Sequence, residues 1–400
     1  MLSENTLSII ESTAPVLKEH GLGLIEHFYQ RMLTHQPELK HLFNQTHQKT
    51  GQQAKALAGA VLAYAQHIRN LDVLLPAVNR MAHKHASVNV RPEHYPIVGK
   101  HLLASIQEVL NLPADHTIIQ AWAEAYQQLA SILISVEAKL YEQASTQSGG
   151  WSGFRPFRIE KKEIESHDIV SLYLYPTDLG SVPLFQAGQY VSVKSQVEGI
   201  TQLRQYSLSD APNRGYLRLS VKNESAQHIL TKNHVSGWIH QALKEGDIIE
   251  MTPPFGHFTL QEKEKNTPIV FMSGGVGQTP LMSMLNDLIL TKSQRQISWI
   301  HAAKSSQHHA FGKYIHHLTS QYPNIQAHFF YEQPSENNTI PHTVGRINQE
   351  QIKNICQEQA RYYLCGPIAF MLEQYQHLTR LGVPQTQIHY EVFGSDHLGL

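Results

Sequence analysis

The sequence predicts a multidomain chain: an all-α region, then a small antiparallel β-barrel, then a doubly wound α/β domain. Three observations predict it. Up to about residue 145, apolar residues recur at three- and four-residue spacing with few β-branched clusters. From about Phe154 to Leu260, short strand-like runs alternate with turn residues. From about Thr267 onward, strand patterns alternate with helix patterns. Between the first two regions lies Ser145-Thr146-Gln147-Ser148-Gly149-Gly150, a linker composition.

Bulk properties narrow the possibilities. Four hundred residues exceed one hydrophobic core, so two to three domains are expected, and 41% apolar residues suffice to build them. A net charge of −1 without a long basic run argues against a nucleic-acid partner. The first residues, Met1 to Thr6, lack the basic and apolar regions of a signal peptide, and no apolar run approaches a membrane span. Cys356 and Cys365 are too few for a disulfide framework. A reducing cytoplasm fits that cysteine count best, and a monomer acting on small molecules is the expectation. Most of the 26 histidines are scattered singly and are expected at the surface.

In the helical region, Ile25, Tyr29 and Leu33 put a phenol on one apolar face. Phe43 sits in a short segment between helices, and Gln53 and Leu57 project side by side one turn apart. Leu74, Val78, Met81 and His85 form a stripe, with His83 off it. Trp122, Tyr126, Leu129, Leu133, Glu137 and Leu140 form another, with a carboxylate inside. A histidine on an apolar face is more often a core residue than a ligand. Glu137 either has a buried partner or reaches from the stripe's edge to water.

In the barrel region, strands are read at Val170–Tyr175, Gln189–Val193, Tyr216–Val221 and Asp247–Met251. Alternation places Arg204 and Tyr206 on one face of a strand. With Ser207 they supply a cation, an aromatic face and a hydroxyl, the types a flavin needs. The same spacing also suits an ordinary amphipathic strand.

The α/β region opens with Pro268 to Ser273, a β-branched run that stops at Gly274-Gly275-Val276-Gly277-Gln278-Thr279-Pro280 and passes into a helix. Glycines let the backbone approach a pyrophosphate, and the helix N-terminus offers free N–H groups. The loop departs from the G-x-G-x-x-G fingerprint. Tyr362 to Met371 repeats the strand–turn–helix design, with Cys365 at the strand end, where such sheets bind ligands.

In their order and spacing, Arg204 to Ser207, the glycine loop and Tyr363-Leu364-Cys365-Gly366-Pro367 resemble the ferredoxin–NADP reductase superfamily over residues 152–400. The resemblance implies FAD against Tyr190, Arg204, Gln205, Tyr206, Ser207, Val392, Phe393, Gly394 and Ser395. It implies NADH or NADPH on Gly275, Val276, Gly277, Gln278, Thr279 and Pro280 and near Cys365. One departure is the long stretch from Asn223 to His234, where the superfamily commonly has a Gly-Gly pair.

The helical region resembles a globin, with Phe43 packing on haem and His85 as the iron ligand. The order Tyr29, Phe43, Gln53, Leu57, His85, Tyr95, Glu137, joined to a flavin reductase, resembles the flavohaemoglobins over all 400 residues. The implied domains are a globin carrying haem b at 1–147, an FAD-binding barrel at 152–262 and an NAD(P)H-binding domain at 266–400. The implied activity is nitric oxide dioxygenation: NO and O2 give nitrate at the expense of NAD(P)H. Tyr29 and Gln53 then serve the oxygen side and Leu57 presses on the ligand site. Glu137, oriented by Tyr95, makes the His85 imidazole more donating. Lys84 and Glu391 lie near both prosthetic groups. Two rival classes remain from the residues: an oxygen or NO sensor, and a general flavin reductase of peroxides, quinones or ferric chelates.

Overall fold

The computed structural model describes residues 2–43, 51–197, 200–224, 235–260, 266–334, 338–357 and 359–394. Ser395 and residues 225–234 of the long stretch after Asn223 lie outside them.

Among the described residues, five helices make the first region: α1 (Glu4–His35), α2 (Gln52–Gln66), α3 (Leu75–Ser87), α4 (His94–Leu110) and α5 (Thr117–Thr146). Short 3-10 turns at Pro37–Leu42 and Leu71–Leu74 connect some of them. The core brings Leu24, Ile25, Phe28 and Met32 of α1 against Tyr64, Leu102, Ile106 and Trp122. Gly99 is required where α4 crosses α5, because a β-carbon there would strike the Tyr126 ring. The predicted linker is shorter than its composition suggests. Helix α5 continues through Thr146, and the Trp151 N–H then caps the Ala144 carbonyl at 3.1 Å. The Trp151 indole donates to the Met251 carbonyl, so the junction is pinned at both ends.

The second region holds β1 (Arg155–Ile164), β2 (Ile169–Pro176), β3 (Tyr190–Val197), β4 (Ile200–Ser207), β5 (Leu217–Lys222) and β6 (Ile248–Met251), with α6 (Val235–Gln241). The sheet order is β4-β3-β6-β1-β2-β5, antiparallel throughout. A bridge between Leu208, just past β4, and Leu219 of β5 brings the two ends of the sheet together and closes the barrel. Phe157, Ile159, Leu172, Leu174, Val191 and Val193 fill it.

In the third region six parallel strands run in the order β10-β9-β8-β7-β11-β12. They are β7 (Ile269–Gly274), β8 (Ile297–Ala303), β9 (Ile325–Tyr331), β10 (Thr343–Val344), β11 (Arg361–Cys365) and β12 (Ile388–Glu391). Helices α7 (Gln278–Leu290), α8 (Gly312–Gln321), α9 (Gln349–Ile355) and α10 (Ile368–Arg380) accompany them. The strand order reverses between β7 and β11, which is where doubly wound sheets bind ligands. The β7 strand is buried throughout, as the apolar run Ile269 to Met272 requires.

The expectation of surface histidines fails at a fully buried pair. His301 and His309 stack at 4.2 Å, with Nδ1 atoms bonded to Ser273 and Tyr331. Burial keeps both neutral, holding the His309 pKa down at about 3. Among the described residues, no helix is long and apolar enough to cross a membrane.

Candidate functional site

Helix α3 is two-faced. Its Val78 and Met81 pack with Leu133 of α5 and Tyr95 of α4, and His85 follows on the same side. The His85 Nδ1 lies 2.8 Å from Glu137 Oε1. The Tyr95 hydroxyl donates to that same oxygen at 2.6 Å and lies 3.1 Å from Nδ1. Glu137 is only 2% exposed, so the reading of it as an edge residue reaching water is overturned. Burial, reinforced by Glu137, pushes the Tyr95 phenol well above its ordinary pKa and keeps it a neutral donor. A carboxylate offers only acceptors, so the proton between them sits on Nδ1, and the neutral imidazole in that tautomer has its Nε2 lone pair available to a metal. Tyr126 steadies Tyr95 by donating to its carbonyl at 2.6 Å.

Across the helical core, the Tyr29 ring meets the Phe43 ring edge-on, centroids 5.6 Å apart. The Tyr29 hydroxyl has no hydrogen-bond partner among the described residues, and burial pushes its pKa well up. Gln53 is in the first turn of α2, with Leu57 one turn on. Both are half-buried, and Leu57 packs with Tyr29 and Phe43 around one core.

In the barrel, β3 and β4 pair so that Tyr190 faces Ser207 and Val191 faces Tyr206. Arg204 and Tyr206 lie on one face of β4, as alternation requires. The Arg204 guanidinium bonds the Leu203 carbonyl and Gln202, and burial lowers its pKa. Gln205, on the opposite face, reaches Ser87 of α3 at 3.3 Å. Gly256, at φ +120°, lies flat on Tyr190, and a β-carbon there would come within 3.0 Å of the ring.

The glycine loop forms a 3-10 turn over Gly275–Gly277 before α7 begins at Gln278. Gly275, at φ +53°, has open space where a side chain would be. Gly277 abuts the Cys365 carbonyl, and Gly366 abuts the Gly274 backbone, so the two strand–turn–helix units interlock through glycines. Val276 is half-buried, Thr279 and Pro280 are buried, and the Thr279 hydroxyl donates to the Val276 carbonyl. Cys365 is fully buried, and burial pushes its thiol pKa far up.

The C-terminal strand brings these parts together. Lys84 of α3 donates to the Gly394 carbonyl. Glu391 ends β12, and burial raises its pKa to about 7, against the pull of Lys84 and Arg80. Val392 is half-buried and Phe393 exposed. Sequence reasoning did not name Ser87, and it placed His83 only off the apolar stripe. His83 Nδ1 accepts the Gly256 N–H at 3.0 Å, and both residues turn toward the barrel. Their i, i+4 spacing on the face away from His85 was the available signal.

Three observations fit these residues to prosthetic groups. His85 has one hydrogen-bonded nitrogen and one lone pair, as a haem ligand needs. One imidazole is enough to hold iron whose other ligands come from a macrocycle. Glu391 Oε2 and both amide atoms of Gln278 are buried without a hydrogen-bond partner among the described residues. Such atoms are rare unless a polar ligand meets them.

Comparison with known proteins agrees with this layout. A globin family model matches residues 26–133. An oxidoreductase FAD-binding domain model matches 156–260, and an oxidoreductase NAD-binding domain model matches 271–376. A flavohemoprotein of Chromobacterium violaceum is 50% identical over 401 residues, 99% of each chain. The crystal structure of a Malassezia yamatoensis flavohemoglobin with bound FAD and haem superposes with a TM-score of 0.86 at 28% identity. It covers 98% of this chain and 100% of that one. The FAD/NAD-binding domain of a nitric oxide dioxygenase from Vibrio cholerae gives 0.54 at 32% identity, covering 60% of this chain and 98% of that one. The chain belongs to the flavohemoproteins: it is an NAD(P)H oxidoreductase in which FAD passes electrons to the haem of a globin domain.

Proposed function

We propose that the protein is a nitric oxide dioxygenase that converts NO and O2 to nitrate. The observation that carries the reading is the Glu137 carboxylate, which takes hydrogen bonds from both His85 and Tyr95. A carboxylate behind an imidazole makes it a stronger electron donor. Reversible oxygen carriage does not need that push, whereas driving charge onto O2 does. The activity named for the Vibrio cholerae relative supports the same reading.

When bound, haem supplies the iron at which the gases react, and FAD converts the two-electron hydride of NAD(P)H into single electrons. The chain supplies the rest. His85 Nε2 would hold the iron, while Nδ1 keeps its proton toward Glu137. Tyr95 fixes the orientation of that carboxylate. Tyr29 would offer a buried neutral phenol as a hydrogen-bond donor on the oxygen side, an electrostatic contribution. Gln53 assists and Leu57 limits the space, while Phe43 packs on the macrocycle. Tyr190 and Arg204 to Ser207 hold FAD together with Glu391 to Gly394, and Gly275 to Pro280 receive the dinucleotide near Cys365. Lys84, bound to Gly394, ties the iron-ligand helix to the flavin side.

The balance is two NO, two O2 and one NADH to two nitrates, NAD+ and a proton. The test is nitrate yield and NADH consumption when NO is added to aerobic, haem- and FAD-loaded protein. Two nitrates per NADH, abolished by His85→Ala, is the expected result. NADH oxidation indifferent to NO, with no nitrate, overturns the reading in favour of a general flavin reductase.

A further inference from the structure

Helix α7 begins at the glycine loop and then runs against the barrel, and this inner face is polar. Asn286 Nδ2 donates to Asp210 Oδ1 at 2.9 Å. The Ser283 hydroxyl donates to the Asp210 carbonyl at 2.8 Å. All three residues are buried. On the barrel side, Asp210 also accepts the Ala211 N–H at 2.8 Å and the Tyr216 hydroxyl at 2.7 Å. Arg218 lies 3.6 Å from its other oxygen, and its guanidinium sits 5.1 Å from the Phe311 ring centre, at the start of α8. On the α/β side, the Tyr314 hydroxyl donates to Asn286 Oδ1 at 2.9 Å. The network is satisfied from both sides. Apolar contacts are non-directional and tolerate sliding, whereas buried hydrogen bonds fix distance and angle.

The places of these residues in the chain give the network its meaning. Asp210 follows shortly after Ser207, the last residue of β4. Asn286 lies about two turns along α7 from Gln278. A second tether runs beside the first. Met284 of α7 presses on Gly188, just before Tyr190, where a β-carbon would clash with it. The flavin-side segments and the dinucleotide loop are thus joined by short, stiff paths.

We propose that Asp210 and Asn286 are positioning residues for hydride transfer. Their contact indexes the loop Gly275–Pro280 to the strand Arg204–Ser207. The proposal rests on the assignment of those two segments to the dinucleotide and to FAD. In the step they serve, one hydride, carrying two electrons and one proton, leaves the dihydronicotinamide and bonds to the flavin. The first is oxidised, the second reduced, and a solvent proton completes the reduced flavin. A displacement of about 1 Å lowers such a rate by on the order of 100-fold without removing any ligand contact.

The test uses Asn286→Leu in the haem- and FAD-loaded protein. Anaerobic stopped-flow gives the rate of flavin reduction by NADH, and titration gives the NAD+ dissociation constant. FAD content is read from absorbance, and amide hydrogen exchange reports on the first turn of α7. The expected result is a roughly 10- to 100-fold slower hydride transfer with a retained deuterium isotope effect, while FAD content and NAD+ affinity change by less than about twofold. The α7 amides exchange faster. Ser283→Ala, which leaves the Asn286 bond in place, shows a smaller fall of the same kind. Flavin reduction at the parent rate overturns the proposal. So does a rate loss matched by equal loss of FAD or NAD+ binding, which marks a structural contact only. If Asn286→Leu fails to fold, Ser283→Ala decides by the same criteria. Arg204→Ala, measured in parallel, separates the two levels of inference. If it sheds FAD while Asn286→Leu is normal, only the positioning role falls. If it keeps FAD fully, the segment assignment itself falls.

Discussion

The Nδ1 of His85 lies 2.8 Å from Glu137 Oε1, although 52 residues separate them in the chain. Replacing Glu137 with Gln keeps the size and one acceptor but removes the charge. Haem is expected to stay bound, the ferric spectrum to shift, and turnover to fall by roughly 10- to 100-fold. Absorption spectroscopy and NO-consumption kinetics check this, and an unchanged spectrum and rate would remove Glu137 from its role behind His85.

Tyr29 has a hydroxyl without a partner among the described residues. Tyr29→Phe is expected to speed O2 release from the reduced protein by about tenfold or more, if its hydrogen bond contributes ~1.5 kcal/mol. Flash photolysis gives the rate directly. An off-rate equal to the parent's would sink the assignment.

The carboxyl of Glu391 is raised by burial from 4.5 to about 7. The unfolded chain releases this proton near its ordinary pKa, but the folded chain holds it until about 7. Stability from this group is therefore full below pH 4.5 and is lost as pH rises through about 7. Urea unfolding of the cofactor-free protein at pH 5 and pH 7.5 is expected to show a slope that Glu391→Gln flattens, by on the order of 2–3 kcal/mol. Equal slopes in both proteins would exclude Glu391 as the source.

Gly277 meets the carbonyl of Cys365, which is backbone and cannot rotate away. Gly277→Ala is expected to destabilise the α/β domain by about 1–3 kcal/mol through overpacking, and to weaken NAD+ binding. Gly275→Ala faces open space but a positive φ, so its smaller cost comes from backbone strain alone. Calorimetry and NAD+ titration of both variants check the order; a Gly275→Ala protein less stable than Gly277→Ala would contradict it.

His83 links α3 to the barrel through the Gly256 N–H, and Gly256 lies on Tyr190. His83→Leu leaves that N–H unpaired at the junction. Flavin reduction by NADH is expected to be normal and the following haem reduction several-fold slower, since only the flavin–globin contact is loosened. Stopped-flow at haem and flavin wavelengths separates the two steps. Equal rates at both wavelengths in variant and parent would show that the contact does not govern the transfer.

Much of this was legible in the sequence because it is local. Period-3.6 stripes marked the helices around Tyr29, His85 and Glu137, and alternation put Arg204 and Tyr206 on one face of β4. The glycine loop marked the turn from β7 to α7. Periodicity states which face of an element is buried, not what lies opposite it. The partners of Glu137 were named beforehand only through the family resemblance, while the stacking of His301 on His309 and the meeting of Asp210 with Asn286 were decided only by tertiary structure. Each joins elements that are distant in sequence. A buried polar group must find its hydrogen bonds wherever packing brings a complementary atom, and no local pattern encodes that choice.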